Sequence, residues 1–191
     1  MEKMTAQEQY APGPASGARV QKDGDRWALV LVRDLRHPPE KVWQALTDPK
    51  HLREWAPFEA DANLGAAGTE AKLTWVGTAR VTETKVIRAD PPRTLEFSDI
   101  RWELEPLANG TRLTLWHSID RGYIAWGAAG WHISLEVLDR LLMGAPVGRI
   151  AGADAMRFGR WKELVAEYAE QFGVGSPGAP SNVPKPNVGE H

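Results

Sequence analysis

The chain of 191 residues has no cysteine. That excludes disulfides, thiolate metal sites, iron–sulfur clusters and a cysteine nucleophile. It also has no apolar run approaching the roughly 20 residues a membrane helix needs. Its opening residues, MEKMTAQEQYAPGPASG, lack the apolar core of a signal peptide, so a soluble cytoplasmic protein is expected. Charge of one sign is lacking too. Lys plus Arg number 23 against 25 Asp plus Glu, a net charge of -2. With acids mixed among the bases there is no field to hold nucleic acid or an anionic membrane. The five histidines, at 37, 51, 117, 132 and 191, have no zinc-ligand spacing among themselves or with carboxylates, so neither metal nor cofactor is expected.

Tryptophan, by contrast, is abundant: there are nine, all between Trp27 and Trp161. Outside that span the composition changes. Residues 1–25 are rich in Gly, Pro, Ala, Ser and Gln, and residues 174–191 hold four of the 14 prolines. Such segments bury too little apolar area to offset their chain entropy. Both read as flexible tails around one domain of residues 26–173. A domain of that size buries about 70% of its unfolded surface.

Along the domain the hydrophobic period changes twice. Residues 27–35, WALVLVRDL, are apolar on both faces and suit a buried strand. HPPEKVWQALTD follows, with Pro38 and Pro39 placed to start a helix whose face is Val42, Trp43 and Leu46. Asp48 then caps a second short helix with Pro49 at its first position, carrying Leu52 and Trp55. From residue 69 the period is two. Leu73 and Trp75 alternate with Lys72 and Thr74; residues 79–89 read as a strand without a clear inner face. Trp102 and Leu104 share a face opposite Arg101, Glu103 and Glu105. Asn109-Gly110 signals a hairpin, and Leu113, Leu115 and His117 share a face beyond it. Short turns between consecutive strands imply an antiparallel meander with one face on a core. After residue 122 the period becomes helical: Ile124, Ala128, Trp131, Leu135, Leu138 and Leu142 form one apolar stripe, which must lie on the sheet. Residues 154–172 form a further helical stretch, with Gly173 as its stop.

The residues PPEKVWQALTDPKHLREW, GWHISLEVLDRLLMG and WKELVAEYAEQFG carry a family resemblance. The chain resembles the START/Bet v 1-like (SRPBCC) superfamily, and within it the bacterial AHSA1-like group, relatives of the activator of Hsp90 ATPase. The resemblance spans roughly residues 27–173. It implies an α+β helix-grip fold, in which a curved antiparallel sheet wraps a long C-terminal helix, with two short helices after the first strand. It also implies a cavity between sheet and helix, where members of the superfamily bind lipids, sterols, polyketides or plant hormones. No catalytic set can be carried over from the group.

By parity, Trp75, Trp102, Leu104, Leu113, Leu115 and His117 point inward, facing Trp131, Leu135 and Leu138 of the helix. These nine residues are the expected ligand pocket; the aromatics offer stacking surfaces to a flat apolar molecule, or they simply fill the interior. His117 reads either as a ligand contact or acid/base, or as a satisfied core histidine. His132 and Glu136, four apart, read as a surface pair beside the stripe. Arg149, Arg157, Arg160 and Lys162 read as a solvated helix face. Three apparent motifs fail on context. His117, Ser118 and Asp120 suggest a triad, but adjacent strand residues point to opposite faces. Gly173, Gly175 and Gly178 spell a dinucleotide fingerprint without the strand and helix it needs. Asn109-Gly110-Thr111 is a glycosylation sequon that reads as a turn. The expected function is binding of a small hydrophobic ligand. A chaperone-partner module is the alternative, followed by a cyclase- or hydrolase-like enzyme using His117 or an inward Glu83. A monomer or a homodimer, paired through an open sheet edge, fits equally.

Overall fold

The computed structural model describes residues 3–23, 26–158 and 160–174. Its centre is an eight-stranded antiparallel sheet in the order β1-β2-β8-β7-β6-β5-β4-β3. The strands are β1 Ala18–Asp23, β2 Arg26–Leu35, β3 Phe58–Ala60, β4 Glu70–Trp75, β5 Val81–Asp90, β6 Thr94–Phe97, β7 Ile100–Leu107 and β8 Gly110–Asp120. Two short helices, α1 Pro39–Thr47 and α2 Pro49–Trp55, lie between β2 and β3. After β8 come the long α3 Ile124–Leu142, a single turn α4 Ala153–Met156 and α5 Trp161–Phe172.

Local chemistry accounts for the boundaries. Pro39 occupies the first position of α1, where its missing N–H is no loss. The Asp48 carboxylate accepts from Lys50 N at 2.9 Å and starts α2. β7 and β8 are joined by the two-residue turn Ala108-Asn109, one position before the expected Asn109-Gly110, and Gly110 opens β8; glycine is obligatory there for another reason. A Cβ there would stand 2.0 Å from the Leu35 carbonyl oxygen. Gly173 closes α5 in the left-handed conformation at φ +67.

The stripe of α3 is buried as the helical period requires: Ile124, Ala128, Trp131, Leu135, Leu138 and Leu142 are all in the core. It packs on β2 and β8, flanked by α5 and α2. This is the α+β helix-grip arrangement, a curved sheet around a long helix.

Two features differ from the sequence reading. Residues 154–172 are not one helix; the chain turns between Met156 and Trp161. Residues 3–23 are structured where a tail was expected. Ala18–Asp23 is an edge strand in register with β2, Ala18 opposite Leu31 and Asp23 opposite Arg26. Ahead of it, Tyr10 is buried and packs edge-on to Phe158 at 5.6 Å. Composition hid this segment because its anchors are hydrogen bonds and one aromatic ring rather than apolar mass. The expected C-terminal tail, and with it Gly175 and Gly178, lies outside the described residues apart from Val174.

Candidate functional site

The pleat of β8 sends Leu113, Leu115 and His117 inward. Register places them opposite Leu104, Trp102 and Ile100 of β7, and opposite Arg33, Leu31 and Leu29 of β2. From the other side α3 contributes Trp131, Leu135 and Leu138. Seven of the nine expected pocket residues (Trp102, Leu104, Leu113, Leu115, Trp131, Leu135 and Leu138) are buried. The aromatics among them touch one another. Trp102 and Trp131 meet edge-to-face at 5.5 Å, and Trp55 of α2, which sequence parity did not nominate, packs on Trp102 at 6.1 Å. Trp55 is held by its own Nε1, which donates to the Ala45 carbonyl at 2.9 Å. The deep end of the grip is thus occupied by indole rings.

The other two expected residues, Trp75 and His117, are half-buried and form a different environment. Their rings stack nearly parallel, 6.0 Å apart with 8° between planes. Trp131 links this end to the deep one: its Nε1 donates to His117 Nδ1 at 2.9 Å. An accepting Nδ1 leaves the ring hydrogen of a neutral imidazole on Nε2. The imidazole is held neutral, its pKa lowered to about 4, mainly because its ring is enclosed, with the charges of Arg26 and Arg80 adding to the effect. Arg80 also lies over the Trp75 ring, 5.7 Å from its centroid. Trp75 Nε1 is buried without a hydrogen-bond partner among the described residues.

Clefts of about 530, 470 and 290 Å³ indent the surface. The largest lies between residues 11–16 and α3, beside Arg33, Glu136 and Asp139. The second lies on β4 and β5 among Glu70, Lys72, Glu83 and Lys85. The third, at the β6–β7 turn, borders Arg101, Trp116 and His117. None of these three is lined by Trp102 or Trp131. Glu83 is exposed and lies 4.0 Å from Lys72. The inward carboxylate expected there is absent because Thr82, Thr84 and Val86 take the inner positions of β5.

His132 and Glu136 are not a surface pair. His132 is 1% exposed. Arg33 Nη2 lies 3.3 Å from His132 Nδ1 and the Tyr168 hydroxyl 2.7 Å from it, while Nε2 is 2.9 Å from the Glu136 carboxylate. Arginine can only donate, so Nδ1 accepts and the Nε2 hydrogen faces Glu136. Glu136 further accepts from the Tyr10 hydroxyl and from Gly13 N. Burial by itself would raise the Glu136 carboxyl; the hydrogen bonds from His132, Tyr10 and Gly13 outweigh it and hold the group below its ordinary value. Burial also pushes the Tyr10 phenol up, as does the carboxylate it faces. The spacing of four identified the contact between His132 and Glu136, but not the segment that covers them.

The basic residues near the C-terminus are largely paired. Arg149 meets Glu59 at 3.1 Å, Arg157 meets Asp154 at 3.4 Å, and Arg160 meets Glu163 and Glu167. Among the described residues no group of three or more His, Asp or Glu could hold a metal ion, and no helix is long and apolar enough to cross a membrane.

A curved sheet gripping a helix through an aromatic interior defines the helix-grip class. Residues 36–143 match the family described as activator of Hsp90 ATPase homolog 1-like protein, and the chain belongs to that family, the AHSA1-like group of the SRPBCC proteins. Solved structures share the fold. Protein MLL2253 from Mesorhizobium loti is 26% identical, with a TM-score of 0.54 over 61% of this chain and 97% of its own. CalU16 from Micromonospora echinospora is 23% identical, with a TM-score of 0.57 over 84% and 98%. The protein of unknown function EF2215 from Enterococcus faecalis is 17% identical, with a TM-score of 0.59 over 81% and 89%. No curated protein matches the chain.

Proposed function

We propose that the protein binds a small flat apolar or aromatic molecule between the sheet and α3, at the end formed by Trp75, His117 and Trp131. Trp102, Leu104, Leu113, Leu115, Leu135 and Leu138 form the apolar wall behind it. The observation that carries this reading is the parallel Trp75–His117 stack. Two flat rings, half-buried and backed by packed indoles, present the kind of surface on which a third ring stacks. His117, kept neutral, joins the stack without the desolvation cost a cation would impose there. Indole emission and melting temperature report occupancy directly. Titration with naphthalene-sized aromatics should change the emission saturably and raise the melting temperature, and Trp75→Ala should abolish both effects. A screen of such compounds that moves neither quantity in the native protein would remove this reading.

The family supports a second reading, a co-chaperone-like interaction through the outer surface. It draws weight from the deep end of the grip, where indoles occupy the space a large ligand would need. Pull-down with the cognate Hsp90 homologue and an ATPase assay decide it: stimulation supports the reading, and absence of both binding and stimulation ends it.

A further inference from the structure

The Trp75–His117 end has donors without acceptors. Trp75 Nε1 is buried and unpartnered. His117 accepts at Nδ1 from Trp131, so its own hydrogen is on Nε2, for which the described residues supply no acceptor. A buried donor left unmade is costly; the Trp75 Nε1 is one, and the free Nε2 hydrogen of half-buried His117 lies in the same stack of rings, 6.0 Å apart. The charge around the stack has the matching sign. Arg26 and Arg80 both act on His117. Arg26 is engaged with Ser118 and lies 3.5 Å from Asp99. Arg80 has the Trp75 ring beneath it and no carboxylate within ion-pair distance among the described residues.

We propose that the molecule recognised at this end is an aromatic carboxylate, its ring on the Trp75–His117 stack and its oxygens accepting from Trp75 Nε1 and His117 Nε2 beside Arg80. This rests on the binding reading above and narrows it to a class of ligand. A bare hydrocarbon would leave both donors unmade, and a cation would meet Arg80 and Arg26. An aromatic acid satisfies the donors and the charge together. His117 suits this role across the ordinary pH range, because with a pKa of about 4 it remains a neutral donor at Nε2 well below neutrality.

The test compares 2-naphthoate with 2-isopropylnaphthalene, which has the same outline and no acceptor, by calorimetric titration of the full chain. The acid should bind at least about ten-fold tighter, the value of one hydrogen bond to a charged group. Trp75→Phe keeps the ring and deletes the donor, so it should narrow that preference several-fold; Arg80→Gln should narrow it and weaken its salt dependence. In proton–nitrogen spectra the indole signal of Trp75, identified by its loss in Trp75→Phe, should move downfield with the acid and not with the hydrocarbon. Equal affinity for the two probes, or a preference untouched by Trp75→Phe, overturns the acid site while leaving apolar binding in place. Binding of neither probe overturns both.

Discussion

His117 and His132 lie on facing elements of the same grip and have opposite surroundings. His132, on α3, has Arg33, Tyr168 and Glu136 around it, so both ring nitrogens are engaged. The His117 side chain, on β8, has among the described residues a single hydrogen bond, accepted from Trp131. Its other neighbours are an indole face and two arginines. A buried polar group whose partners all come from the chain is holding the chain together. One with donor capacity left over can recognise something else. By that criterion the polar network under residues 10–16 is a fastening, and the Trp75–His117 end is the place of recognition.

The comparison can be broken most forcefully at His132. His132→Ala strips three polar groups of a partner in a buried site, so urea unfolding should show a loss of about 3 kcal/mol or more. A loss below about 1 kcal/mol would mean the network holds little.

His117 and Glu136 divide the acid limb of stability. The folded pKa of His117, about 4, lies below the ordinary imidazole value of 6.5. The unfolded chain therefore binds its proton first, and stability falls as the pH drops from 6.5 towards 4, by about 3 kcal/mol in all. His117→Gln should flatten that upper stretch. Glu136 has a lowered pKa, so its contribution is present above the unfolded carboxyl value of 4.5 and is lost only as the pH falls below it. Glu136→Gln should lower stability throughout the range above pH 4.5 and flatten only the fall below it.

Smaller effects refine the picture. Tyr10→Phe deletes one hydrogen bond to Glu136 and should cost about 1 kcal/mol, with faster hydrogen exchange at Gly13, Ala15 and Ser16, whose N–H groups bond Glu136, Glu167 and Tyr168. Trp75→Phe should be the mildest, within about 0.5 kcal/mol of the native protein, because the donor it deletes bonds to nothing among the described residues.

The contrast between the histidines also marks what could be read from sequence. The α3 stripe, the Asp48 cap and the β7–β8 hairpin were legible because each is local: a period, a cap and a turn need only their neighbours. The inward set of β7 and β8 followed from strand parity, and the structure places those side chains on the inner face. The fastening was illegible because its partners are remote. Tyr10 reaches Glu136 across 126 positions, and Tyr168 reaches His132 across 36. β1 escaped notice because only Ala18 and Val20 mark its inner side, too little apolar mass to register, although the dipeptide Gly24-Asp25 between it and β2 is a hairpin signal in the sequence. Trp55 was read correctly as a helix residue but not as a wall of the interior, because the packing of α2 on α3 is tertiary.

Whether a ligand stacks at the Trp75–His117 end can be read from one proton–nitrogen spectrum. The nine tryptophans give nine indole N–H signals, and titration with 2-naphthoate shows which of them sense the ligand. Trp75 and Trp131 should move first and furthest, while Trp116 on the outer face and Trp27 beside Lys22 and Arg121 stay in place. Shifts confined to Trp116, or no shift at Trp75 at saturating ligand, would contradict this placement of the ligand.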